Sequence, residues 1–147
     1  MAAPLPSEAP SHIGAAPWLG WPSTRAVFAA LAARGFEARA VGGAVRNTLL
    51  GQHVGEIDLA TSAPPQDVIA AAEAAGLRAI PTGLAHGTVT IVADGRAFEV
   101  TTLREDVETY GRHAKVAFTA DWAADARRRD FTLNALYCSP DGRLFDP

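Results

Sequence analysis

Glu56 and Asp58 stand two residues apart in a strand-like run, Gly55-Glu56-Ile57-Asp58-Leu59-Ala60-Thr61. Side chains at i and i+2 on a strand point to the same face, so the two carboxylates converge on one spot and can hold a divalent cation. Upstream, Val41-Gly42-Gly43-Ala44-Val45-Arg46 runs from a short apolar strand through paired glycines into a helical turn. Glycines at a helix start let backbone N–H groups approach a phosphate closely, and Arg46 one turn later adds positive charge. Each pattern alone has a plain structural reading: a tight turn needs glycines, and acids on a strand edge are simply solvated. A metal site beside a phosphate site implies transfer of a nucleotidyl group.

The elements that must position these residues follow from punctuation and period. Residues 1–22 carry five prolines and read as an extended arm, which Trp18, Leu19 and Trp21 dock to the domain. Ser23 or Thr24 caps a helix with the apolar stripe Val27, Phe28, Leu31 and Ala32, ended by Gly35. Phe36 to Val41 is the first strand, Ala44 to Leu50 a short helix closed by Gly51, and Ile57 to Thr61 the strand bearing the carboxylates. A turn through Pro64-Pro65 starts an Ala-rich helix from Gln66 to Ala75, and Leu77 to Pro81 is a short strand. Two alternating runs flank Asp94-Gly95, a strong hairpin signal, with Glu99 on one face of the second arm and Phe98 and Val100 on the other. Arg104 to about Ala117 is charged and without clear period, and reads as a mobile loop. Trp122 to Arg129 is a helix capped by Thr119 or Asp121, and Leu133 to Cys138 pairs with Arg143 to Phe145.

Composition narrows the class. At 147 residues, with 48% hydrophobic and 20% charged side chains, the chain is expected to form one domain, residues 23–147, behind the arm. The net charge of -3 gives no general case for a nucleic-acid surface, although basic residues gather in the second half at Arg104, Arg112, Lys115 and Arg127-Arg128-Arg129. Cys138 is the one cysteine, so an internal disulfide or thiolate cluster is excluded and a reducing cytoplasm is expected. No signal-peptide pattern and no spanning apolar run is present, so no membrane partner is expected, although these absences do not exclude a peripheral role. The histidines His12, His53 and His113 lack ligand spacing for zinc.

Strand, Gly-Gly, short helix with arginine, then a strand carrying acid-x-acid resembles the signature of the polymerase-beta-like nucleotidyltransferases. Within them the chain resembles the head domain of the bacterial tRNA nucleotidyltransferase (CCA-adding) and poly(A) polymerase family, class II. Two further stretches carry the resemblance: Phe98-Glu99-Val100-Thr101-Thr102-Leu103-Arg104 and Asp125-Ala126-Arg127-Arg128-Arg129-Asp130-Phe131-Thr132-Leu133-Asn134-Ala135-Leu136. The fold it implies is α+β, a mixed or largely antiparallel sheet with helices packed on one face. The implied chemistry is transfer of CMP or AMP from CTP or ATP to a tRNA or other RNA 3′ end, with Mg²⁺ held by Glu56 and Asp58. A two-metal displacement then activates the 3′-hydroxyl and stabilises the leaving pyrophosphate. The resemblance makes Glu99 the third catalytic carboxylate. It gives nucleotide binding to Gly42, Gly43, Arg46, Arg128, Arg129, Asp130 and Asn134, with Asp130 selecting ribose. His86, in a His-Gly-Thr also found in the family, is read as a strand-entry turn.

The resemblance covers about residues 22–147 and only the family's head. The Glu-Asp-x-x-Arg motif of the neck is not found in these residues, which implies association with a chain supplying neck and body. Glu56 stands where the family has Asp, and Asn47 where many relatives have Asp. Three readings stay open: a CCA-adding head, a template-independent poly(A) polymerase, and a non-catalytic nucleotide- or RNA-binding module.

Overall fold

The computed structural model describes residues 12–14, 16–108, 114–129 and 136–145. Its helices are α1 (Pro22–Ala32), α2 (Gly43–Leu49), α3 (Pro65–Ala74) and α4 (Trp122–Arg127). Its strands are β1 (Ala38–Val41), β2 (Ile57–Thr61), β3 (Arg78–Gly83), β4 (Thr88–Ala93), β5 (Arg96–Thr102), β6 (Arg104–Glu108), β7 (Ala114–Phe118), β8 (Tyr137–Cys138) and β9 (Leu144–Phe145). The fold is α+β. One sheet has the order β3-β4-β5-β2-β1-β8-β9, and β6 pairs with β7 in a separate ribbon. In the larger sheet the neighbours run antiparallel except β2 and β5, which are parallel.

Period two decides which face each strand residue serves. Ala38, Ala40, Ile57, Leu59, Val89, Ile91, Phe98 and Val100 turn to one side, where they bury against Val27, Phe28 and Leu31 of α1, Val68, Ala71 and Ala72 of α3, and Ala44 and Val45 of α2. Val41, Ala60, Leu103 and Tyr137 turn to the other side, where Ala126 of α4 covers them. Three helices therefore share one face as expected, and α4 shields part of the opposite face. What α4 leaves open is the surface that carries Asp58 and Glu99.

The beginning of the domain differs from the sequence expectation. Residues Pro17–Gly20 form a 3-10 turn rather than extended chain, because Trp18 is 2% exposed and its indole N–H donates to Thr48 Oγ1 at 2.8 Å. A large apolar ring seeking burial with one polar handle is what winds the arm down here. Helix α1 starts at Pro22, with Trp21 in the cap position, and neither Ser23 nor Thr24 caps it. Proline at the first helical position is already set to helical φ and lacks the N–H a cap would satisfy.

The span 104–117 is not a plain loop. Arg104–Glu108 pairs antiparallel with Ala114–Phe118, Arg104 opposite Phe118 and Glu108 opposite Ala114. The expected strand from Phe36 shortens to Ala38–Val41, the described part of the one expected from Leu133 is Tyr137–Cys138, and the helix expected to reach Arg129 ends at Arg127. Asp121 caps it, its carboxylate accepting from the backbone N–H groups of Ala123 and Ala124 at 3.0 and 3.2 Å.

Gly42 is the hinge between β1 and α2. Its φ of 76° and ψ of -130° lie where side chains with a Cβ are strained, while a Cβ built there meets nothing within 4 Å. The penalty for Gly42→Ala is therefore conformational alone, about 1–3 kcal/mol. Urea denaturation of this variant is expected to show a lowered midpoint with an unchanged slope.

Candidate active site

β2 sits between β1 and β5, and the two registers bring the chemistry together. Asp58 is opposite Glu99 across the parallel pair and opposite Val41 across the antiparallel pair. Val41 runs straight into Gly42, so the glycine turn opens beside Asp58. Glu56 lies just ahead of β2 rather than inside it, and is exposed. It still faces Asp58 closely enough to act on it through charge.

Asp58 is half-buried, and its carboxyl is pushed up to about 6. Burial is the largest cause, followed by the negative charges of Glu99 and Glu56 and a hydrogen bond with Glu99, while Arg129 pulls the other way. Three carboxylates crowding one open surface is an arrangement in want of positive charge. Among the described residues, no three side chains of His, Cys, Asp or Glu form a ready-made metal cage. The donor set is all oxygen and suits a hard cation.

The charge of Arg129 acts on Asp58, and its own place is fixed from behind. Its Nε donates to Asp125 Oδ2 at 3.0 Å, one helical turn away. Tyr137 Oη donates to the same oxygen at 2.5 Å, and the backbone N–H of Arg104 donates to Asp125 Oδ1 at 2.9 Å. Burial would lower the affinity of Arg129 for its proton, but Asp125 and Tyr137 more than offset that and hold it above the usual range. Burial also raises the Tyr137 hydroxyl, as does its bond to Asp125. Arg104 moves down, through burial first and then the charge of Arg128. The Nε atoms of Arg104 and Arg128 are buried with no hydrogen-bond partner among the described residues.

The remaining expected residues fall as follows. Gly43 opens α2, and Arg46 lies in its last turn, donating from Nε to Asn47 Oδ1 at 3.3 Å. Asn47 Nδ2 donates to the His53 carbonyl at 2.9 Å and ties down the segment leading to Glu56. An aspartate there has no donor for that carbonyl. Asp130 and Asn134 lie outside the described residues, as do Arg112 and His113. His86 is exposed in a 3-10 turn, Leu84–His86, which leads through Gly87 into β4. Cys138 is a buried core thiol pushed up to about 12, mainly by burial, which leaves it inert. Asp125 and Tyr137 are the members that sequence reasoning missed. The spacing of Asp125 and Arg129 signals a helical ion pair, but nothing in the sequence points to Tyr137.

A family model described as the poly(A) polymerase head domain matches residues 38–147. The chain belongs to that family. The matched head-domain stretch contains all three carboxylates, the glycine turn and the arginine run. Among curated relatives, the mitochondrial CCA tRNA nucleotidyltransferase 1 of Danio rerio is 48% identical over 112 residues, covering 76% of this chain and 26% of the relative. Among solved structures, the Bacillus stearothermophilus CCA-adding enzyme in complex with CTP superposes with a TM-score of 0.73 at 38% identity, over 86% of this chain and 30% of that one. A tRNA nucleotidyltransferase complexed with a primer tRNA and an incoming ATP analog gives a TM-score of 0.62 at 28% identity, over 82% and 34%. The head domain thus spans about a quarter to a third of the length of the proteins it matches. No helix among the described residues is long and apolar enough to cross a membrane.

Proposed function

We propose that this head domain transfers CMP and AMP from CTP and ATP to the 3′ end of tRNA. The observation that carries the reading is the double register of Asp58, which puts its carboxylate beside Glu99 and at the mouth of the Gly42-Gly43 turn. The relatives solved with CTP and with primer tRNA and an ATP analog support the substrates.

In this reading Glu56 and Asp58 hold Mg²⁺. When bound, the ion supplies Lewis-acid activation of the RNA 3′-hydroxyl and charge relief for the departing pyrophosphate. The chain's own residues do the rest. Glu99 orients the hydroxyl from the next strand, where the parallel register sets it beside Asp58. The backbone N–H groups of the glycine turn and the side chain of Arg46 receive the triphosphate. Arg128 and Arg129 offset its charge from the other side, and Asp130 and Asn134 complete the ribose pocket. The lone, inert Cys138 agrees with a cytoplasmic setting. The lengths of the relatives support a working unit that includes neck and body regions, in the same chain or an associated one.

The name of the matching family favours a second reading, template-independent addition of AMP alone. One experiment separates the readings: Mg²⁺-dependent incorporation of labelled CTP and ATP onto tRNA lacking its 3′ end, with Asp58→Ala as control. Incorporation of both nucleotides, lost in the variant, is the expected result. A run of AMP only identifies the poly(A) activity, and nucleotide binding without turnover identifies a binding module.

A further inference from the structure

Arg129 follows the end of α4 in a short turn, where an arginine side chain would ordinarily sample many rotamers. Here its Nε donates to Asp125 Oδ2 at 3.0 Å, and its guanidinium carbon lies 5.7 Å from the centre of the Tyr137 ring. Asp125 is 1% exposed and Tyr137 0% exposed, so neither group exchanges its partner for water. Asp125 takes only the Nε of Arg129, so its grip does not consume the terminal nitrogens that recognise phosphate in pairs. Its other oxygen holds the backbone of Arg104 at the root of the β6–β7 ribbon. Tyr137 stands opposite Val41 on β1, the residue that also stands opposite Asp58, so the clamp is built on the same strand row as the carboxylates.

We propose that Asp125 and Tyr137 are positioning residues for nucleotidyl transfer, fixing the Arg129 guanidinium at the carboxylate face so that its terminal nitrogens meet the incoming triphosphate. The proposal deepens the function given above and rests on it. Neither residue touches substrate; each acts through Arg129.

The test is a double-mutant cycle on kinetics with CTP as the varied substrate. Tyr137→Phe keeps the ring and removes one charge-assisted hydrogen bond, and is expected to lower kcat/KM for CTP about 10-fold. Asp125→Asn is expected to lower it about 100-fold, with KM for the tRNA unchanged in both variants. In an Arg129→Ala background neither substitution is expected to cost anything further, since the residue they position is gone. Additive losses in that background, or equal losses toward tRNA and CTP, would overturn the proposal.

A readout free of turnover is the Arg129 Nε–H resonance in the full chain. It is expected to be sharp and protected from solvent exchange in the wild type and exchange-broadened in Asp125→Asn. An equally protected resonance in a folded Asp125→Asn protein sinks the clamp. Wild-type protein that shows the protected resonance yet neither binds nor incorporates CTP sinks the functional reading instead.

Discussion

Asp58→Asn is expected to remove nucleotide incorporation, by about 10³-fold or more, and at the same time to make the metal-free protein more stable. The first effect follows if Asp58 is a ligand of the cation that stabilises the developing charge, a contribution of several kcal/mol at roughly 1.4 kcal/mol per factor of ten. The second follows from crowding. The Asp58 carboxyl is pushed from 3.8 to about 6 by burial and by Glu99 and Glu56, so at neutral pH the fold carries an ionised group that its surroundings disfavour. The site is partly open to solvent, and after allowance for screening the penalty is about 1–2 kcal/mol.

The sign of the pH dependence follows directly. A carboxyl whose folded value lies above its unfolded one binds more protons folded than unfolded between the two values. Its contribution to stability is fully present below pH 3.8 and is lost as pH rises through about 6. Thermal denaturation without metal is therefore expected to show the variant more stable by a few degrees at pH 7 and level with the wild type near pH 4. Added Mg²⁺ should stabilise the wild type and leave Asp58→Asn unmoved. A variant less stable than the wild type at pH 7 would show that Asp58 is an ordinary structural acid.

Local signals wrote much of this fold into the chain. Asp94-Gly95 announces the β4–β5 hairpin, and the positive φ at both residues is what that dipeptide tolerates. The alternation that put Glu99 opposite in sense to Phe98 and Val100 is borne out by the burial of those two apolar residues. The β6–β7 ribbon was illegible for the same kind of reason. Among the described residues it is a two-stranded ribbon outside the larger sheet, and Arg104–Glu108 carries four charged residues around one valine, so no period of two shows in its sequence.

The candidate site was legible only in part, because its assembly is non-local. The spacing of Glu56 and Asp58 marks the two as neighbours, but α3, β3 and β4 intervene between β2 and β5. Nothing short of the fold, or a resemblance to one, brings Glu99 to Asp58. The clamp behind Arg129 is harder still. Tyr137 belongs to a two-residue strand whose pairing with β1 leaves no sequence signature, and a tyrosine there reads as core until its hydroxyl is seen on Asp125.

Glu56→Asp is expected to raise activity at limiting Mg²⁺, by up to about 10²-fold. Mg²⁺ demands near-ideal octahedral geometry at about 2.0–2.1 Å, and the extra methylene of glutamate displaces a ligand oxygen by roughly 1 Å. Glu56 is exposed, precedes β2, and has Ile57 of the ladder on one side and the segment tied by Asn47 to His53 on the other. Because the position is exposed, the change should leave the metal-free stability nearly unaltered, so a gain in rate cannot be ascribed to more folded protein. Titrating Mg²⁺ in the incorporation assay separates two cases. A gain that disappears at saturating metal belongs to binding, and one that persists in kcat belongs to the geometry of the transition state. Identical Mg²⁺ curves for the two proteins would remove Glu56 from the ligand set and leave Asp58 and Glu99 as the pair that holds the cation.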